Sequence, residues 1–151
     1  MVTVEDIRGQ ILFEGMDEEN LSVIADKLQV LKFKKGSTIF KEKDETRGIY
    51  FIFEGKIEIS KVTAGGWKQT LAVLGPGHFC GELSIIENRK HEAVAVAIED
   101  SVIFLLAKDD FYKIEKEELM LSNLILKKLV YVMSKNLRRM NEKFLNALVS
   151  Y

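Results

Sequence analysis

Cysteine occurs once, at Cys80. That excludes an internal disulfide and any zinc or iron–sulfur centre built from cysteines. Histidine occurs twice, at His78 and His91, with no His-x-His. Two histidines leave too few ligands for the metal cluster of a metal-dependent β-barrel enzyme. No nucleophile–base pairing stands out either, so no enzyme and no metal or cofactor is expected. No apolar run approaches the roughly 20 residues that cross a bilayer. The opening MVTVEDIRGQ lacks the basic and apolar blocks of a signal peptide. A cytoplasmic protein without membrane contact is expected. Net charge is only −1, so there is no global electrostatic case for nucleic acid.

Proline also occurs once, at Pro76, and all ten glycines lie between Gly9 and Gly81. From Glu82 to Tyr151 there is neither. Turns should therefore crowd the first half, and a long helix is permitted in the second. Hydrophobic residues make up 47%, enough for a real core. The length of 151 residues fits one domain with one extension. The near-neutral total hides an asymmetry. Residues 117–151 carry six basic and three acidic side chains, a mildly basic stretch of the kind that usually forms a solvated helix face.

DEENLSVIADKLQ opens on a capping residue, Asp17, and places Leu21, Ile24, Ala25 and Leu28 at helical spacing. Short strand-like runs follow: QVLKF, STIFKE, GIYFIFEG, then KIEISKV and KQTLAVL around TAGGW. Gly65-Gly66 reads as a two-residue hairpin. AVAVAI and SVIFLLA flank Glu99-Asp100, which reads as a tight turn. Seven or eight short strands at regular spacing predict a sandwich or barrel.

From Asp109 the pattern turns helical. Leu126, Val130, Met133, Leu137, Met140, Phe144, Ala147 and Tyr151 step alternately by four and three, a heptad seam that would span roughly 39 Å. A helix packed on its own barrel would follow a wider stripe at a 3.6-residue period, so the seam predicts self-pairing. Leu129, Val132, Leu145 and Leu148 predict that the same helix also touches the barrel.

The stretch GHFCGELSIIENRKHEAVAVA, Gly77 to Ala97, sets a glycine and a glutamate into an apolar run. Gly81 lacks a Cβ and lets backbone approach a ligand closely. The amides of Leu83 and Ser84, at a helix start, have no intrahelical partner and can receive an anion, with the Ser84 hydroxyl as a further donor. Glu82, when ionised, only accepts, and would repel a phosphate; it needs a hydroxyl beside the anion. Amides for an anion and a carboxylate for a hydroxyl fit a sugar phosphate. An ordinary turn and helix start would also carry a Gly-Glu pair, and both readings stand.

Residues from about Leu12 to Ile114 resemble a cyclic nucleotide-binding domain, the module of catabolite activator proteins and protein kinase A regulatory subunits. LFEGMDEENLSVIADKL resembles its leading helix. FKKGSTIFKEKDETRGIYFIFEGKIEIS resembles its first strands, LAVLGPGHFCGELSII the run into the phosphate-binding cassette, and AVAVAIEDSVIFLLAKDDF the closing strands and hinge helix. The resemblance implies a mainly β fold with flanking helices: a double-stranded β-helix, jelly-roll-like, of about eight strands, over residues 1–116. Residues 117–151 would form a long C-terminal dimerisation helix with Leu126, Val130, Met133, Leu137, Met140 and Phe144 at the interface. It implies that Gly81, Leu83 and Ser84 present amides to a cyclic phosphate and that Glu82 accepts from the ribose 2′-hydroxyl.

The sequence departs from the family at the phosphate. The family places an arginine six residues ahead of a small residue; counting back from Ala97 reaches His91. Lys90 stands where a proline is usual, and Glu92 where a small residue is usual. Arginine offers a permanent charge and a bidentate fork, whereas an ordinary histidine is mostly neutral at pH 7. Arg89, Lys90 and His91 are the candidates to replace it; as solvated loop charges they would not. The expected function is a regulatory module sensing cAMP, cGMP or another small anionic effector, with a shift of the segment 111–120 on binding. The alternative is a degenerate, dimeric scaffold that binds no nucleotide and acts through a protein partner. A helix-turn-helix would begin about where the sequence ends, so no direct DNA binding is expected.

Overall fold

The computed structural model describes residues 1–150. A short α1 (Val4–Ile7) and a 3-10 turn at Ile11–Phe13 precede α2 (Glu18–Lys27). The Asp17 side chain caps α2, accepting from the Asn20 amide at 2.9 Å. Eight strands follow: β1 (Gln29–Phe33), β2 (Thr38–Phe40), β3 (Gly48–Glu54), β4 (Ile57–Val62), β5 (Lys68–Leu74), β6 (Phe79–Cys80), β7 (Val94–Ala97) and β8 (Ser101–Ala107). The helix α3 (Glu82–Ile86) lies between β6 and β7, and α4 (Lys108–Glu117) and α5 (Leu119–Val149) close the chain. The strands form two four-stranded antiparallel sheets, ordered β1-β8-β3-β6 and β2-β7-β4-β5. The mainly β, jelly-roll-like architecture with flanking helices is the one the sequence predicts.

The unbroken apolar runs of β3 and β8 follow from burial on both faces. Tyr50, Ile52, Ile103 and Leu105 point into the barrel, where they meet Phe40, Ile57, Cys80, Ala95 and Ala97. The alternate residues Ile49, Phe51, Phe104 and Leu106 point outward, under α1, α2, α4 and the start of α5. The sheet β1-β8-β3-β6 is thus sandwiched between the barrel interior and the helices.

One turn differs from expectation, and another joins the two sheets. Between β4 and β5 the Thr63 amide donates to the Trp67 carbonyl at 2.8 Å, and the Gly66 amide to the Thr63 carbonyl at 2.9 Å. The loop therefore has three residues, Ala64-Gly65-Gly66, with Gly66 left-handed at φ +83°. Only the second glycine supplies the positive φ that this longer hairpin requires. Glu99-Asp100 lies in a short connection that carries the chain between the sheets, since β7 pairs with β2 and β4, and β8 with β1 and β3.

α4 and α5 are separated at Glu118, whose φ of −125° and ψ of 66° leave the helical region. No glycine or proline marks the break. It falls where both flanking turns are anchored, by Phe111 and Ile114 before it and by Leu121 and Ile125 after it. α5 has two apolar faces. Leu121, Ile125 and Leu129 are buried against the barrel's helical layer, and Val132 is half-buried. The heptad seam lies elsewhere: Leu126 is half-buried, while Val130, Met133, Leu137, Met140 and Phe144 are exposed, Val130 by 67% against 2% for its neighbour Leu129. Leu145 and Leu148 do not touch the barrel, being 58% and 57% exposed. The helix has run past the barrel by then, because 31 residues at about 1.5 Å each outreach it. The last seam position, Tyr151, lies outside the described residues. Among the described residues no helix is long and apolar enough to cross a membrane.

Candidate anion and hydroxyl site

The site is built by a glycine and a helix end. Gly81 caps α3 at φ +88°. A Cβ placed there would lie 2.9 Å from the Gly48 carbonyl oxygen and 3.2 Å from the Tyr50 ring. The close approach that demands glycine is thus to strand β3 of the chain itself. It seats α3 on the sheet and fixes where Glu82, Leu83 and Ser84 begin.

α3 ends in a paired backbone arrangement. The Arg89 amide donates to the Ser84 carbonyl at 3.0 Å and the Asn88 amide to the Ile85 carbonyl at 3.3 Å, with Asn88 left-handed at φ 50°. This is the Schellman pattern, with asparagine in the position that usually takes glycine. It turns the chain back so that His91 returns to Ser84. Ser84 Oγ lies 3.1 Å from His91 Nδ1, and both side chains are buried. The His91 ring stacks on Phe40, with centroids 3.8 Å apart and planes at 11°. Phe40 belongs to the barrel-interior cluster, so the imidazole lies on that interior.

The loop from β2 to β3 is tied to the same place. The Lys43 amide donates to the His91 carbonyl at 2.8 Å, and the His91 amide to the Asp44 carbonyl at 3.1 Å. The Asp44 carboxylate in turn accepts from the Lys41 amide at 3.0 Å. Two loops are therefore stitched together over the end of the barrel. Phe40 and Asp44, which complete this arrangement, carry no motif that sequence reading could single out. Phe40 was visible only as one apolar residue of a predicted strand.

The predicted site residues separate into two groups. Ser84 and His91 come together, and Gly81 and Glu82 stand at the start of the helix that carries Ser84. Leu83, on the same helix, turns outward and is 42% exposed; its backbone, not its side chain, belongs to the site. Arg89 is held between the carboxylates of Glu87 and Glu92. Lys90 is exposed and lies 3.7 Å from Glu45. Each cation faces a carboxylate: Arg89 those of its own loop, and Lys90 that of Glu45 on the β2–β3 loop.

Burial governs the titration of the site. It pushes the Glu82 carboxyl above the ordinary range, with the backbone amide opposing. It pushes His91 below the ordinary histidine value, with Asp44 opposing. It holds the Cys80 thiol far up and unreactive. His91 is thus a neutral imidazole at pH 7. Its Nε2 is buried with no hydrogen-bond partner. On the outer side, Ile85, Ile86 and Asn88 form one wall of a hollow of about 540 Å³ whose other wall includes Phe111 and Tyr112 of α4 and Leu126 of α5. Among the described residues no group of three or more His, Cys, Asp or Glu side chains is placed to hold a metal ion.

Comparison with known proteins agrees with this geometry. The chain is 31% identical over 105 residues to the cyclic AMP receptor protein of Thermus thermophilus, covering 70% of this chain and 49% of that protein. It is 37% identical over 76 residues to cyclic nucleotide-gated ion channel 4 of Arabidopsis thaliana, covering 50% of this chain and 11% of that one. It spans about half the length, or less, of these curated relatives. Among solved structures, the Thermus thermophilus catabolite activator protein superposes with a TM-score of 0.79 at 27% identity, over 89% of this chain and 62% of that one. A cyclic nucleotide-binding domain from Methylobacillus flagellatus shares the fold with a TM-score of 0.85 at 22% identity, over 94% and 82%. The cyclic nucleotide-binding domain family matches residues 30–118, more than half of the chain, and the chain belongs to that family.

Proposed function

We propose that the chain is a non-enzymatic regulatory module that binds a cyclic nucleotide, cAMP or cGMP, at the Gly81–Ser84 cassette and signals through α5. The observation that carries this reading is the cassette's construction. α3, which begins at Glu82, is seated by Gly81 and returns the chain through Asn88, so that His91 meets Ser84 on the barrel interior. Glu82 would take the ribose hydroxyl, and the amides with Ser84 and His91 the phosphate. The half-buried Leu31, Phe33, Ile39, Ile59 and Leu74 around the interior cluster would pack the base.

Signalling would run through the hollow between the end of α3 and the α4–α5 break, because a displacement of α3 there meets Phe111, Tyr112 and Leu126 directly. A ligand moves that equilibrium only by contacting its two states differently. Leu126 begins the exposed heptad seam, which would pair two copies in a homodimer. The module would act in the cytoplasm on a protein partner, without direct contact to DNA. A second reading rests on the clamped Arg89, the paired Lys90 and the neutral His91. Without a permanent cation from the loop of residues 87–92 the site would hold no nucleotide, or another small anion, and the dimer would serve as a scaffold. Calorimetric titration with cAMP and with cGMP separates the two. Micromolar binding that Glu82→Ala weakens supports the sensor; no heat up to millimolar nucleotide from folded protein supports the scaffold.

A further inference from the structure

His91 is 4% exposed, and its Nε2 has no hydrogen-bond partner. An orphaned buried polar atom costs free energy, so its retention calls for a partner that arrives later. The neutral ring leaves Nε2 unmet in either tautomer. If Ser84 donates to Nδ1, the Nε2 proton has no acceptor; if Nδ1 donates to Ser84 Oγ, the Nε2 lone pair has no donor. An anion beside Nε2 changes this. Both nitrogens are then satisfied, Nε2–H donating to the anion and Nδ1 pairing with Ser84 Oγ, in the neutral Nε2–H tautomer as well as in the imidazolium, and charge decides between the two.

Charge favours the imidazolium. A buried anion needs a cation, and among the basic side chains of these loops His91 is the buried one, whereas Lys41, Lys43 and Arg47 of the β2–β3 loop are exposed. On the loop of His91 itself, Arg89 is bound by Glu87 and Glu92, and Lys90 faces Glu45. From α3 the nearest ionisable group is the carboxyl of Glu82. The loop between β2 and β3 presents Asp44, whose negative charge favours a proton on His91, and the exposed Lys41, Lys43 and Arg47, whose positive charges oppose it. From β2 the ring meets only Phe40.

We propose that ligand binding at this site is coupled to the uptake of one proton from solvent by His91, so that the module reads a phosphate-bearing ligand and acidity together. This rests on the reading of the site as a cyclic nucleotide site. The proton comes from water, and no covalent bond other than N–H is formed. In the ligand-free protein burial keeps the ring neutral; with the anion bound, the ion pair favours the charged form. Between these two titration ranges each unit rise in pH weakens the dissociation constant by about tenfold.

The test is titration of the full chain with cAMP from pH 5.5 to 8.5, in two buffers of different ionisation enthalpy at each pH. The expected result is a dissociation constant that rises with pH, uptake approaching one proton per site in the wild type, and a slope that survives Glu82→Gln. His91→Arg should bind with the slope removed. Binding that is independent of pH with no proton uptake overturns the coupling and leaves the nucleotide site standing. A slope that persists in His91→Arg assigns the proton elsewhere and likewise overturns it. Absence of cAMP binding at every pH overturns both. Because the proton count is read on the wild type, the outcome is decided even where a variant does not fold.

Discussion

Replacing Gly81 by alanine tests whether this glycine is required by the fold, independently of any ligand. Two costs add there. The residue is left-handed at φ +88°, which costs a side-chain-bearing residue about 1–2 kcal/mol. The lower unfolded-state entropy of alanine returns roughly 0.4–1 kcal/mol of that. The new Cβ also meets the Gly48 carbonyl oxygen at 2.9 Å and the Tyr50 ring at 3.2 Å. Neither can withdraw. Gly48 is itself wedged, since a Cβ on it would lie 2.0 Å from the Leu106 carbonyl oxygen, and Tyr50 is 1% exposed. Forced overpacking of this kind costs about 1–3 kcal/mol. Gly66→Ala is the control. Its φ is +83°, but nothing lies within 4 Å of the added carbon, so only the conformational part, about 0–1.6 kcal/mol, remains. Urea unfolding at one fixed protein concentration should therefore place Gly81→Ala about 1–3 kcal/mol below Gly66→Ala. Equal losses in the two variants would refute the argument that contact with β3, and not backbone conformation alone, demands glycine at the start of the cassette.

Other perturbations address the seam and the missing cation. Leu137 is 59% exposed on the free chain; burying a leucine in a dimer contributes about 1.5–3 kcal/mol, twice per dimer, so Leu137→Glu should raise the dimer dissociation constant at least about 100-fold in sedimentation equilibrium. A wild-type chain that sediments as a monomer at high concentration would remove the seam's role. His91→Arg combined with Glu92→Ala supplies a permanent charge and frees it from a competing carboxylate; one charged hydrogen bond of about 1.5–3 kcal/mol should tighten cAMP binding on the order of 10- to 100-fold at pH 7.5, read by calorimetry. Unchanged affinity would place the phosphate away from position 91.

The sequence showed what periodicity and turn chemistry encode. Asp17 and its helix, the run of short strands, and the heptad of α5 all follow from side-chain spacing. What it did not show depends on partners brought together across the fold. Nothing local marks Glu118 as a break, because the anchoring residues on both sides are apolar like the rest of the helix. Leu145 and Leu148 fit a barrel contact by type, and only the length of α5 carries them beyond it. At the site, Gly81 and Glu82 were legible as a pair, but the reason for the glycine lay 33 residues earlier, at Gly48. Arg89 was legible as a cation but not as one held by Glu87 and Glu92. His91 was a departure from the family at the level of sequence. The Phe40 stack and the Ser84 contact that make it a buried neutral ring exist only once the two loops meet.

That ring and the neighbouring carboxyl make a last prediction about stability, because their contributions oppose each other. Folding lowers the proton affinity of His91. The unfolded chain therefore binds that proton first, and the stability linked to neutral His91 is present above about pH 6.5 and is lost as the pH falls through that value. Folding raises the proton affinity of Glu82. Its contribution is present below the ordinary glutamate range and is lost as the pH rises through the elevated folded-state value. Between pH 7.5 and pH 5 the two changes have opposite signs, so the wild type should conceal both. Glu82→Gln removes one of them. It should unfold at higher urea than the wild type at pH 7.5 and lose more stability on acidification. His91→Phe keeps the stack on Phe40, removes the other, and should lose less stability than the wild type over the same interval. The urea midpoints of the wild type, the two variants and the double variant at pH 7.5 and pH 5 close the cycle, and carboxylates elsewhere contribute equally to all four. If Glu82→Gln shows the same acid dependence as the wild type, burial is not what raises the Glu82 carboxyl. The site would then be open to water, and the case for a low-dielectric pocket that forces an anion to take its proton with it would lose its physical basis.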